Sequence, residues 1–244
     1  MTVREAFKPY IDDHGLVQPG LGRGSNNGIL FTAEYYITLL KAGELTPEDK
    51  KTFESIMDAC QPEPGLTNRQ PPNTPHDDQE GLDDYIGLLA AAFLLGSDIG
   101  TEVLDYGKRN HSPYGLQFYY NNVWPGTHKY KPGDNRTNWS AWLGRFPGFV
   151  AHAYLCGGEV PPFLYQLGWA ATIKFSPKPE NQDSYILSWL MVVAYDAFPK
   201  KSFFMTRAAN SFKQNLRKNF PGGIREVFSK YFEPNHPLGI YGQD

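Results

Sequence analysis

Residues 69–96 read RQPPNTPHDDQEGLDDYIGLLAAAFLLG, and their order decides the expected fold. A proline-rich approach leads into His76, Asp77, Asp78, Glu80, Asp83 and Asp84, and an apolar run follows at once. Charges this dense, just ahead of a segment that must be buried, read as the polar start of a helix entering a core. Carboxylates are favoured at such a start, because the first backbone N–H groups are unpaired and the helix dipole is positive there. A cleft lined in this way does acid–base chemistry or holds a cation.

Working outward, the punctuation is helical. TAEYYITLLKA (32–42) is an apolar-rich helix with Gly43 as its stop. Thr46-Pro47-Glu48-Asp49 then gives an N-cap, a proline at the first position and acids in the first turn. The helix it opens runs to about Cys60 and is amphipathic, so the pair forms an antiparallel hairpin. The third helix starts near Asp77 or Asp83 and runs to Leu95, and a shorter one follows over 100–108. Helical patterns return at 139–156, 162–175, 183–198, 203–220 and 224–232. Between Gly81 and the C-terminus no run reads as a paired strand with hairpin chemistry, and GLQFYY (115–120) is the one strand candidate.

Two kinds of helix alternate. Residues 86–95 and 185–197 are apolar nearly all round and are expected to be buried, whereas 47–60 and 203–219 are amphipathic and expected outside. The expected fold is all-α: helical hairpins in a toroid-like or incomplete (α/α) barrel arrangement, with a long aromatic loop. One domain covers 1–244, with an irregular N-terminal segment (1–30) and a long loop (111–138).

Composition bounds the function. With 15% aromatic and 20% charged residues, the 244-residue chain has ample material for a core and is not of disordered type. A formal charge of −3 argues against a whole-chain nucleic-acid binder. Charge is uneven, however. Lys200, Lys201, Arg207, Lys213, Arg217, Lys218, Arg225 and Lys230 share the stretch 200–230 with one acid, Glu226. That stripe reads as a solvated helix face or as a surface for an anionic polymer.

Cys60 and Cys156 are the only cysteines and lack metal-site spacing, so two buried free thiols are expected. The N-terminus lacks a signal-peptide core and no apolar run reaches a membrane span. The expected location is cytoplasmic, or released without a signal peptide, with no membrane partner. The acceptor patterns at Asn135 and Asn138 are read as chance in that setting.

Three constellations could carry chemistry. In the acidic segment, Asp77, Glu80 and Asp84 share a helical face if the helix has begun by Asp77. Mutual repulsion among Asp77, Asp78 and Asp83 raises at least one carboxyl pKa, the condition for a general acid. The alternatives are calcium bound at 76–84, without EF-hand spacing, and a helix cap with solvated acids. No other cofactor and no transition-metal site is expected.

The second constellation is the glycine-rich turn Gly22-Arg23-Gly24-Ser25-Asn26-Asn27-Gly28, followed by Glu34 and Tyr35. It is neither a P-loop nor a Rossmann turn. The third is the aromatic loop with its flank: Tyr114, Tyr119, Tyr120, Trp124, His128, Tyr130, Arg136, Trp139, Trp142 and Arg145. Rings beside Arg and Asn suit stacking on sugar C–H faces, and His128 is a candidate base. His152, within FVAHAYL, reads as a core histidine. There is no GxSxG, HExxH or HRD.

LDDYIGLLAAA (82–92), the DDQEG before it, and WLGRFPGFVAHAYLCGGE (142–159) resemble helix segments of (α/α)-toroid carbohydrate-active proteins. The resemblance implies an acid-rich turn at the barrel mouth, with a carboxylate that acts on a glycosidic bond. That role would fall to Asp77, Asp78 or Asp83. The chain is short for a complete six-hairpin toroid, so an open or incomplete set is implied.

The expected function is glycan processing, by hydrolysis or by lyase chemistry, with a carbohydrate as partner. Catalysis is assigned to Asp77, Asp78 or Asp83 with Glu34 or His128. Substrate contacts are assigned to Asn26, Asn27 and Tyr35, to Arg69 and His76, and to Tyr120, Trp124, Tyr130, Trp139, Trp142 and Arg145. The rival readings are a non-catalytic interaction protein, of viral or host-interaction type, and an anionic-polymer binder.

Overall fold

The computed structural model describes residues 1–20, 27–74, 82–103, 179–198 and 201–242, the side chains at 82 and 83 excepted. Among them there are helices and two isolated β-bridges, Ile11 with Val17 and Glu63 with Leu66, but no strand. The all-α expectation therefore holds for these residues.

Helix α1 spans Val3–Phe7 and a 3-10 turn, Lys8–Tyr10, continues it. The segment read as irregular thus begins with ordered structure. Its cause is a capping box: the Thr2 side chain accepts from Glu5 N–H, and Glu5 accepts from Thr2 N–H in return. The T-x-x-E spacing was visible in the sequence.

Helix α2 spans Gly28–Ala42 and ends at Gly43, whose φ of +71° suits the left-handed cap. It starts four residues before the expected Thr32. Residues Gly28 to Phe31 are buried, and the amide of Leu30 finds its acceptor on another helix, the Asp84 carboxylate. Helix α3 spans Pro47–Ala59 and opens with the expected capping box, here between Thr46 and Asp49. Helix α4 spans Leu82–Leu95, and residues 99–103 are again helical.

Helix α5 spans Gln182–Ala197, with the Asn181 side chain accepting from Ser184 N–H at 3.2 Å. Helix α6 spans Phe203–Asn219, α7 spans Ile224–Tyr231 and α8 spans Pro237–Tyr241. Helix α8 was not foreseen. The expected elements at 139–156 and 162–175, the strand candidate at 115–120 and the loop 111–138 lie outside the described residues.

The buried/amphipathic alternation holds. Residues 28–39 of α2 and 185–195 of α5 are buried, as are Asp84 to Ala92 with Gly87 between them. By contrast, α3 buries Asp49, Phe53 and Met57, and α6 buries Met205, Ala208, Ala209, Phe212 and Leu216, at spacings that form one stripe each.

Helix directions follow from single contacts. Asp84, in the first turn of α4, bonds Leu30 in the first turn of α2, and Gly87 faces both Leu30 and Ala33. Phe93 near the end of α4 meets Phe198 just past α5, with ring centroids 6.1 Å apart. The three buried helices therefore run the same way. Helix α3 returns alongside α2, with Tyr36 and Phe53 at 5.3 Å. Helix α6 returns alongside α5: Tyr195 hydroxyl meets Thr206 Oγ1 at 2.7 Å, and Tyr185 hydroxyl donates to Asn215 at 2.7 Å.

The C-terminal helices close back on the start of the chain. Phe228 of α7 packs edge-on to Trp189 at 5.6 Å, and Tyr241 hydroxyl donates to the carbonyl of Met1 at 3.2 Å. The His236 ring stacks on Phe232 at 4.2 Å, and its Nε2 lies 3.1 Å from the Gln18 carbonyl. One core cluster runs from Val3 to Leu238. Each fully buried Phe or Leu in it is worth roughly 1.5–3 kcal/mol of transfer free energy.

Cys60 is a buried free thiol at the end of α3, and burial pushes its pKa up to about 12. Cys156 lies outside the described residues. No described helix is long and apolar enough to cross a membrane.

Candidate functional site

The polar side chains that matter gather where α2, α4 and α5 begin. Asp84 carries the arrangement. Its Oδ1 accepts from Leu30 N–H at 3.1 Å, and its Oδ2 lies 3.3 Å from Arg69 Nε, with only 3% of the side chain exposed. Leu30 N–H is one of the first-turn donors that a helix cannot satisfy internally, so a carboxylate here caps α2 and meets its positive end. The contact with Arg69 is an ion pair without hydrogen-bond alignment. One residue on, the Tyr85 hydroxyl accepts from Thr67 N–H at 2.8 Å. These two contacts hold the segment after α3 against the start of α4.

Glu34 lies on α2, fully buried, and neither carboxylate oxygen has a hydrogen-bond partner among the described residues. Buried polar groups are nearly always paired, and an isolated ionised carboxylate in an apolar setting is too costly to keep. Burial therefore raises its pKa well above the usual carboxylate range, and the charge of Asp183 at the start of α5 adds to the shift. The form favoured is the neutral acid, a proton donor. Among the described residues three other buried side chains, Glu44, Gln61 and Thr67, have one orphaned atom each besides the Arg69–Asp84 pair; Glu34 alone has both oxygens of a carboxyl orphaned.

The remaining expected residues distribute as follows. Arg69 is half-buried and engaged with Asp84. Asn27 sits immediately before α2, where its carbonyl accepts from Phe31 N–H at 3.1 Å, and its side chain does not cap the helix. Tyr35 turns to the other side of α2, its ring 4.7 Å from Phe7 and 5.1 Å from Tyr36. Only 7% of it is exposed, and burial raises its pKa. It is packing between α1 and α2.

Asp77, Asp78, His76, Asn26, His128, Tyr120, Trp124, Tyr130, Trp139, Trp142 and Arg145 lie outside the described residues, as does the side chain of Asp83. The calcium alternative at 76–84 falls on the same stretch, and only Asp84 of it is visible, committed to Leu30 and Arg69. Among the described residues no group of three His, Cys, Asp or Glu is arranged to hold a metal ion.

The sequence places Asp84 on one face with Asp77 and Glu80 but assigns it no role of its own, and it assigns none to Asp183. Asp84 had a signal: it precedes Gly87, Leu88 and Ala91 at i+3, i+4 and i+7, the buried face of α4. A carboxylate on that face, in the first turn, must meet a donor or a cation.

No protein-family model, curated protein or solved structure matches this chain.

Proposed function

We propose that the end of the molecule where α2, α4 and α5 begin is an acid–base site, that its substrate is a glycan, and that Glu34 is the proton donor. The observation that carries this reading is the fully buried, doubly orphaned carboxyl of Glu34. Selection for stability removes such groups, because an apolar residue of equal size is cheaper. A carboxyl whose pKa is raised by burial is, by contrast, what protonation of a glycosidic oxygen requires.

In this reading Asp84 positions. It locks the first turn of α2, and so the helix bearing Glu34, against α4 and Arg69. A second carboxylate from Asp77, Asp78 or Asp83 at the same helix start would serve as base or nucleophile, and the rings of the loop 111–138 as sugar platforms. Three parallel buried helices with amphipathic returns are also the alternation of an (α/α) toroid, which supports the same reading of the fold.

The test is release of reducing ends, or of the unsaturated product of a lyase, from a panel of neutral and uronate-containing polysaccharides. Glu34→Gln keeps shape and removes the acid. Turnover on one polysaccharide class by the native chain, lowered roughly 10²–10⁴-fold in Glu34→Gln, supports the assignment. No turnover on any class, or full turnover in the variant, contradicts it.

A further inference from the structure

Lys200 lies outside the described residues, and the other seven cations of the basic stretch near the C-terminus divide into two groups. Residues 197–225 contain no Asp or Glu, although the chain as a whole is slightly acidic. Several of its cations are used internally. Lys201 donates to the carbonyls of Tyr195 and Asp196 at 2.6 and 2.8 Å, covering the end of α5. Lys213 pairs with Asp196 at 2.6 Å, Lys230 pairs with Glu226 at 2.8 Å, and Arg225 donates to the carbonyl of Gly242.

Arg207, Arg217 and Lys218 form the second group. All three are exposed and make no ion pair with a described residue. Counting from Phe203, they fall at i+4, i+14 and i+15, with Asn210 and Gln214 at i+7 and i+11, so they share one face of α6. That face is opposite the buried stripe of the same helix. An open groove of about 530 Å³ runs beside it, lined in part by Ser202, Phe203, Thr206, Arg207, Asn210 and Gln214. Phe203 is 72% exposed at its head, although an apolar ring is ordinarily withdrawn from water.

We propose that this face of α6 is a docking surface for single-stranded nucleic acid. Arg207, Arg217 and Lys218 meet backbone phosphates, Phe203 stacks on an unpaired base, and Asn210 and Gln214 supply donors and acceptors between them. From Arg207 to Lys218 the helix rises about 16 Å, the reach of a few nucleotides.

The chemistry favours this occupant over others. A positive groove joined to an exposed aromatic ring is how strands without fixed sequence are held. A duplex offers no unstacked base to Phe203. A lipid surface needs a broad apolar face turned outward, whereas that of α6 is buried in the core. The overall negative charge does not oppose the contact, since charges beyond roughly 8 Å are screened at physiological salt. The inference is independent of Glu34 and of any glycan activity.

The test is fluorescence anisotropy of a labelled oligo-dT with the whole chain, beside duplex DNA of equal length, heparin, and vesicles of phosphatidylserine and phosphatidylcholine. The expected result is binding to oligo-dT in preference to the duplex, with a log–log salt slope of about −2 for three phosphate contacts on a single strand. Phe203→Ala should weaken it about ten-fold. The triple variant R207Q/R217Q/K218Q, with a circular dichroism spectrum and melting midpoint like those of the native chain, should abolish it. No oligo-dT binding, binding that survives the triple variant, or equal binding to heparin or vesicles with no effect of Phe203→Ala overturns the proposal. If the triple variant misfolds, Arg207→Gln alone, which should lower the salt slope by about 0.7, keeps the test decisive.

Discussion

Asp84 Oδ1 accepts the backbone N–H of Leu30 at 3.1 Å, so the acid that opens α4 caps the helix beside it. The same carboxylate faces Arg69 at 3.3 Å. Removing it uncaps α2 and leaves a guanidinium half-buried without its counter-charge. Asp84→Ala should cost about 3 kcal/mol, the range for breaking a buried charge pair. Asp84→Asn keeps an acceptor for Leu30 and should cost less. Urea unfolding of both variants checks the order. Equal, sub-kcal losses would show that the cap and the ion pair contribute little.

Gly87 of α4 lies against Leu30 and Ala33 of α2. A Cβ there would lie 2.9 Å from Leu30 Cδ1 and 3.1 Å from Leu30 Cα, and the second of these is backbone. The helix-propensity gain of Gly→Ala, about 1 kcal/mol, is therefore outweighed by separation of the two helices. Gly87→Ala should lower the thermal midpoint. A rise would mean that the helices part at no cost.

Glu34 should be a stability liability. Replacing an orphaned buried carboxyl with Met or Leu removes a desolvation cost, and the variant should gain roughly 1–3 kcal/mol in denaturant unfolding. A loss of that size would instead point to a partner for the carboxyl and weaken its assignment as a free acid.

Two buried groups give stability opposite pH slopes. Burial lowers the pKa of His236 to about 4, against 6.5 for the free side chain. The unfolded chain then binds the extra proton, so stability is full above 6.5 and falls as pH drops through 4. The loss should reach about 3 kcal/mol below that point. The Glu34 pKa is raised, so its contribution is full below the ordinary carboxylate value of 4.5 and is lost as pH rises toward its folded value. Urea midpoints across pH should fall on both sides, with His236→Gln flattening the acid side and Glu34→Gln the other. An acid limb unchanged in His236→Gln would reject the first assignment.

The fold was legible where periodicity and punctuation agree. Gly43 stops α2, and Thr46-Pro47 with Asp49 starts α3, because those residues act through their own backbone neighbours. The early start of α2 was not legible. Its cap is Asp84, 54 positions away, and tertiary capping leaves no local trace. The site was legible in part. Glu34 entered the sequence reading as a neighbour of the glycine-rich turn, and its burial on α2 shows only in the structure; of the acid-rich entry to α4, the described residues show Asp84 bonded to the start of α2. Tyr35 misled, since its neighbour Glu34 faces elsewhere on the helix and adjacent residues are about 100° apart. The basic stripe divided only on seeing which carbonyls and carboxylates its lysines reach.

The most direct measurement is the pH titration of the Glu34 side-chain carboxyl by carbon NMR, assigned by its loss in Glu34→Gln. A resonance that stays in the protonated position through the ordinary carboxylate range, with its midpoint well above 4.5, is the predicted result. A midpoint at or below 4.5 would mean an ionised, solvated carboxylate, and the acid assigned to this site would not exist.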